Sequence, residues 1–193
     1  MIYRRSIKRL IDIVVSLVIV AVALPVLVVC AILVKITSKG GVLFLQERVG
    51  LNGRKFQIYK LRTMRVGNTS LGQQTRLGDA DVTPVGNVLR RLKLDELPQV
   101  VNVLVGDMSL VGPRPCLVQT AEIMPEWARA RFLVRPGMTG LAQINGNASI
   151  SWESRWKYDA AYAKGCSFLL DLSVLLKTVA VVILGEERFG EAK

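Results

Sequence analysis

Hydrophobic and polar positions change period several times along the 193-residue chain. Ile13 to Val34 is an apolar run of 22 residues without a charge, long enough for a helix that enters a bilayer. Pro25 falls near its midpoint, where it removes a backbone donor and kinks or breaks a helix. Each half is about 17 Å long at about 1.5 Å per residue, short of a hydrocarbon core of about 30 Å. Basic residues flank the run on both sides: Arg4, Arg5, Lys8 and Arg9 before it, then Lys35, Lys39, Arg48, Arg54 and Lys55. Cations mark the cytoplasmic side, so the pattern favours a re-entrant helix turning at Pro25 over a kinked spanning helix. A cleaved signal peptide fits poorly, because the run continues eleven residues past Ala21-Val22-Ala23.

Beyond the run, Val42 to Arg48 and Lys55 to Leu61 alternate apolar and polar residues around Gly50-Leu51-Asn52-Gly53, which predicts a β-hairpin. Residues 66–82 are polar, Gly-rich and aperiodic, hence a loop. Thr83-Pro84 reads as a helix start, with Thr83 as N-cap. A second helix is expected from about Pro98 to Leu104, stopping at Gly106. Gly112-Pro113-Arg114-Pro115 is a stiff extended turn, and Arg135-Pro136-Gly137 another. Residues 151–164 predict an amphipathic helix with Trp152 and Trp156 one turn apart, either at an interface or in the core. Residues 167–184 are strongly apolar yet carry Asp171 and Lys177, which favours a helix lying at the interface over a second span. The fold class is mainly α with one small β-hairpin (α+β).

Composition narrows the chemistry. A hydrophobic fraction of 51% beside a net charge of +11 points to a membrane surface or anionic ligands. The chain has no histidine, which excludes Ser-His-Asp and Cys-His triads and HExxH metal sites. Three widely spaced cysteines give neither a disulfide framework nor a zinc signature. GxGxxG and GxxxxGK[ST] are both absent. Catalysis therefore falls to carboxylates, Lys, Arg, Tyr, hydroxyls, thiols or a metal held by oxygen. Asp95 and Glu96 stand out in RRLKLDELPQ (90–99), adjacent acids among cations. One reading is a solvated helix face with an Arg91–Asp95 pair, worth a few tenths of a kcal/mol. The other is a pair of acids placed for phosphate chemistry near Arg114, a residue type suited to bidentate phosphate contact.

Four stretches in order, KRLID (8–12), KLRTM (60–64), LDELPQVVNVLVGDMSLVGPRP (94–115) and RPGMTGLAQINGN (135–147), resemble the bacterial sugar transferase family. The likeness runs over about residues 2–185 and is closest to the small monotopic phosphoglycosyl transferases, since no multi-span domain precedes it. It implies transfer of a phosphosugar from a UDP-sugar to undecaprenyl phosphate, with release of UMP and use of Mg2+. It implies Asp95 as nucleophile, forming a covalent phosphosugar intermediate by a ping-pong mechanism. Glu96 is implied to support the metal, with Asp95, or to orient or deprotonate the acceptor. Arg90 is implied in phosphate binding, Pro113, Arg114 and Pro115 at the uridine end, and Lys60, Arg62, Gln143 and Asn147 around the substrate. Lys8, Arg9 and Pro25 are implied at the lipid headgroups.

The resemblance further implies a membrane helix-hairpin over 1–38, a cytoplasmic catalytic domain over 39–185 and a tail over 186–193. Its location would be the cytoplasmic face of the bacterial inner membrane, where it would begin exopolysaccharide, O-antigen or glycoprotein glycan assembly. Membrane lipids are expected partners, a homo-oligomer is allowed, and nucleic acid is not expected. Two positions depart from the family pattern: Leu24 stands where Ser often precedes the proline, and Asn147 where many relatives carry Arg. The competing readings are a non-catalytic basic adaptor at the membrane surface and a nucleotide-sugar hydrolase that uses water as acceptor.

Overall fold

The computed structural model describes residues 3–65, 81–184 and 189. Helix α1 runs from Lys8 to Thr37 with Pro25 inside it. The expected break at Pro25 is not seen, because losing one backbone donor can bend a helix without ending it. α1 is long and apolar enough to cross a membrane. Its buried residues lie at its two ends, Lys8, Asp12 and Ser16 at one and Cys30 and Val34 at the other. Leu17, Val18, Val22, Leu24, Val28 and Val29 between them are exposed.

The predicted hairpin forms with its first strand one residue late and its second as expected, β1 (Leu43–Val49) pairing antiparallel with β2 (Lys55–Leu61) in a register from Leu43↔Leu61 to Val49↔Lys55. Asn52 (φ 54°) and Gly53 (φ 75°) make the reversal, the left-handed conformation that those residue types tolerate best. The loop expected over 66–82 lies outside the described residues except Asp81 and Val82, and the 186–193 tail except Phe189. Helix α2 (Pro84–Arg91) starts as read, with the Thr83 hydroxyl accepting from Gly86 N at 2.9 Å. Helix α3 (Gln99–Val105) ends on Gly106, in the left-handed region.

A second, two-stranded sheet was not legible as such. β3 (Ser109–Val111) pairs in parallel with β4 (Gly137–Thr139) through Ser109↔Gly137 and Val111↔Thr139. The backbones touch so closely that a Cβ on Gly137 would meet Gly112 N at 2.0 Å, and one on Gly140 would meet Gly112 O at 2.0 Å. Short helices α4 (Val118–Glu122) and α5 (Leu141–Ile144) and a 3-10 stretch (Glu126–Leu133) link these to α6 (Trp152–Gly165) and α7 (Phe168–Leu184).

The main core gathers Ile58, Val103, Met108, Val111, Ile144, Tyr162 and Val174 from six elements and the loop before β3. A second cluster joins Cys30 and Val34 of α1 to Leu61 and Leu89. The tryptophan question divides: Trp152 is exposed, while Trp156 packs on the cluster of Val49, Cys116, Met124 and Ala128. Asp171 was expected as an interfacial charge on α7 but is buried. It accepts from Tyr162 Oη at 2.6 Å and from Tyr3 Oη at 2.5 Å, and pairs with Lys8 at 2.6 Å. Asp12 accepts from Leu110 N at 3.1 Å, so the start of α1 is fixed into the core by polar bonds as well as packing.

Candidate active site

Asp95 and Glu96 sit between α2 and α3, in a 3-10 turn (Leu94–Glu96) preceded by Lys93 at φ 57°. The acids are thus not on a helix face, and among the described residues no Arg91–Asp95 ion pair forms. In a three-residue turn successive side chains diverge by roughly 120°, so the neighbours meet different surroundings. Glu96 enters a clamp. Its Oε1 accepts from Lys60 Nζ on β2 at 2.6 Å and from Arg114 Nη2 at 2.6 Å, and its Oε2 from Arg114 Nη1 at 3.3 Å. Asp95 is 7% exposed, and among the described residues its carboxylate has no hydrogen-bond or ion-pair partner.

These surroundings push the two acids apart in acidity. Burial and the Glu96 charge raise the Asp95 pKa above the ordinary aspartate value, against the pull of Lys60, Arg90 and Lys93. The surrounding cations therefore do not dominate at Asp95. Burial also opposes ionisation of Glu96, but Arg114 and Lys60 outweigh it and hold that carboxyl well below its usual range. Lys60 is itself pushed down by burial and partly restored by Glu96.

Local structure explains why these groups meet. The buried Asn102 of α3 accepts from Tyr59 N at 3.1 Å and donates to Gln57 O at 2.7 Å, which fixes α3 against β2 beside Lys60. Arg90 Nε donates to Thr63 Oγ1 at 2.9 Å. The Pro113-Arg114-Pro115 turn is held from three sides. Gly137 N donates to Pro113 O at 2.9 Å, Arg131 to Arg114 O, and Arg48 to Pro115 O at 3.2 Å. Arg131 is itself buried against Asp159 at 3.2 Å.

The bacterial sugar transferase family model matches residues 3–185. The chain belongs to this family. It is 39% identical to the uncharacterized sugar transferase EpsL of Bacillus subtilis over 93% of this chain and 88% of that one. A UDP-glucose:undecaprenyl-phosphate glucose-1-phosphate transferase of Caulobacter vibrioides is 40% identical over 94% of this chain and 72% of its own length. One of the same name from Klebsiella pneumoniae is 44% identical over 89% of this chain, which spans 39% of that longer relative.

In this family member, Asp95, Glu96, Lys60, Arg114 and the two prolines come together, with Arg90 at the edge. Other expected residues are engaged elsewhere. Arg62 donates to Ser38 O at 2.8 Å, at the end of α1. Lys8 is committed to Asp171, and Arg9 donates to Val103 O and, at 2.8 Å, to Leu104 O at the end of α3. Gln143 is buried on α5 with both amide atoms unpartnered among the described residues, and Asn147 follows at φ 40°. Pro25 lies on the exposed middle of α1.

For the implied magnesium ion, no group of three or more His, Cys, Asp or Glu is placed to hold one among the described residues. Two cations take Oε1 of Glu96 and leave it at most one acceptor position on Oε2, whereas the Asp95 carboxylate fits a ligand's role, since Mg2+ is commonly held by one or two carboxylates plus substrate phosphates. Two residues beside the clamp were missed from sequence. A small cleft is lined by Arg48, Ile58, Lys60, Gln99, Arg114 and Pro115. Gln99 directly follows the DELP motif, and Arg48 is the last residue but one of β1, a strand whose alternate residues face the same way.

Proposed function

We propose that the chain moves a sugar-1-phosphate from a UDP-sugar to undecaprenyl phosphate, releasing UMP, as the first membrane step of glycan assembly. The observation that carries this reading is the asymmetric pair: a buried Asp95 without a partner among the described residues, beside a Glu96 locked between two cations. An Asp95 oxygen attacks the sugar-bearing phosphorus, the bond from that phosphorus to UMP breaks, and UMP leaves. An oxygen of the lipid phosphate then attacks the same phosphorus and displaces the Asp95 carboxylate. Carboxylates act as phosphoryl acceptors in other enzymes, and raised basicity makes the ionised form a better nucleophile. Lys60 and Arg114, pre-set by Glu96, oppose the charge that gathers on the transferring phosphoryl group. Mg2+, held by Asp95 and the donor's own phosphates, would neutralise further charge on the leaving UMP.

In this proposal α1 bends at Pro25 without breaking, and so enters the cytoplasmic leaflet of the bacterial inner membrane and returns. Both of its ends pack on the same body, through Lys8–Asp171 at one and Cys30 and Val34 at the other, and its exposed middle is apolar. Ends held on one body favour re-entry over a span, and seat the site at the depth of the acceptor's headgroup. Labels at residue 3 and residue 60 should be reached from the same side; opposite sides would refute the re-entrant course. For the chemistry, wild-type chain should release UMP from a UDP-sugar in the presence of undecaprenyl phosphate, and Asp95→Asn should lose that release by about a thousandfold or more. Full activity in Asp95→Asn would remove the covalent step.

A further inference from the structure

The cleft beside Glu96 contains two groups that the proposed reaction has not used. Gln99 is 3% exposed, and its amide Nε2 has no partner among the described residues although it lines the cleft. A buried amide N–H left unbonded costs about 1–3 kcal/mol, so its retention calls for an acceptor that is supplied from outside. Arg48 is the second group. It donates to Pro115 O at 3.2 Å and to the Gln46 side chain, yet its Nε is buried without a partner, and among the described residues no carboxylate pairs with it. Burial and the neighbouring Arg114 charge lower its pKa to about 10. An arginine held there against another cation is favoured only if an anion completes the arrangement.

The charges around the cleft state what that anion is. Arg48, Lys60 and Arg114 face it, and Glu96 is the one carboxylate clamped among them. Cations thus predominate in the lining of the cleft, and the diphosphate of a nucleotide sugar is the anion that the proposed reaction brings to it. The hairpin is fastened for this purpose: Val49 N donates to Cys116 O at 3.0 Å, so Arg48 and the Pro113-Arg114-Pro115 turn are carried as one unit.

We infer that Arg48 and Gln99, with Lys60 and Arg114, form the seat for the diphosphate of the nucleotide donor. Gln99 donates its free N–H to a phosphate oxygen, and Arg48 binds from the opposite wall. This rests on the proposed transfer reaction, and it adds binding residues that lie outside the acid pair.

The test uses the full chain in lipid nanodiscs, with UDP and uridine as probes for calorimetry and UMP release from a UDP-sugar measured in parallel. Gln99→Leu and Arg48→Gln should each weaken UDP about tenfold or more, leave uridine unchanged and raise KM for the donor more than they lower kcat. Gln99→Glu, nearly isosteric, puts an anion in the seat and should weaken UDP further than Gln99→Leu. Arg48→Lys, which keeps the charge, should recover part of the loss. Wild-type UDP affinity in both Gln99→Leu and Arg48→Gln overturns the seat while leaving the transfer reaction standing. Equal loss of UDP and uridine also overturns it, because the defect then lies in the shape of the site. A wild-type chain that neither binds UDP nor releases UMP overturns the reaction and the seat together.

Discussion

Replacing Glu96 by Gln tests whether the clamp organises the site. The substitution keeps volume but removes the charge that Lys60 and Arg114 share at 2.6 Å each. Leaving a buried charge without its partner costs about 3–5 kcal/mol. The Lys60 contact counts nearly in full, its side chain being 17% exposed, whereas the Arg114 contact is discounted because that side chain is 40% exposed. A loss of about 3 kcal/mol results, or a fall of about 6–12 °C in melting temperature for a chain of this length. The pH dependence is specific. Lys60 is already lowered by burial, and loss of Glu96 lowers it further. The folded state then holds fewer protons than the unfolded chain, in which Lys60 titrates near 10.5, so stability rises with pH across that interval. The Glu96→Gln defect should therefore shrink as pH rises toward 10.5. Thermal melts from pH 6 to 10 would show this, and a cycle with Lys60→Met should give a coupling of about 2 kcal/mol. Coupling below about 0.5 kcal/mol, or a defect that does not change with pH, would refute the clamp.

Asp159 supplies another pH signal. Burial lifts it to about 6 against Arg131 and Arg155. The folded state thus binds its proton more tightly than the unfolded chain, and stability should fall by about 3 kcal/mol as pH rises from about 4 to 6. Melts of Asp159→Asn should lack that slope. Gly137→Ala would place a methyl 2.0 Å from Gly112 N. It should cost at or beyond the roughly 1–3 kcal/mol of ordinary overpacking, and by loosening the β3–β4 contact it should lower UMP release together with the melting temperature.

The parts legible in the sequence are those with local causes. Alternation with a Gly-Leu-Asn-Gly reversal set the β1–β2 hairpin, Thr83-Pro84 began α2, and Gly106 ended α3. The parts that were not legible depend on partners far apart in the chain. Arg135-Pro136-Gly137 and Gly112-Pro113-Arg114-Pro115 read as two turns, but nothing local says that their strands pair in parallel. Asp171 read as an interfacial charge because its partner Lys8 is 163 positions away. Lys8 and Arg9 read as lipid contacts for the same reason, since a cation near a membrane segment looks alike whether it meets a phosphate, an internal carboxylate as Lys8 does, or helix-end carbonyls as Arg9 does. At the site, the adjacent acids and Arg114 were visible as residue types in motifs. Arg48 was not, because a strand-end arginine signals nothing until the Val49–Cys116 contact carries it to Pro115.

The difference between Asp95 and Glu96 is made by backbone before it is made by charge. In a continuing α-helix, neighbours one position apart project about 100° apart around a common axis, and Asp95 and Glu96 would follow α2 on a gradual course. Lys93 interrupts that course at φ 57°, a conformation that costs a non-glycine residue roughly 1–2 kcal/mol. The three-residue turn that follows swings Glu96 toward Lys60 and the Arg114 turn, and leaves the buried Asp95 carboxylate without a donor among the described residues. One acid is then held ionised by cations and loses its capacity as a base, while the other keeps its lone pairs and gains basicity from burial. Two carboxylates pushed to opposite acidities by their surroundings mark a division of roles. A structural ion pair needs no such division, because it gains nothing from burying an unpartnered carboxylate beside the paired one. The strained Lys93 backbone and the open Asp95 together impose a cost on folding that the clamp alone does not explain, and the proposed reaction at Asp95 would account for it.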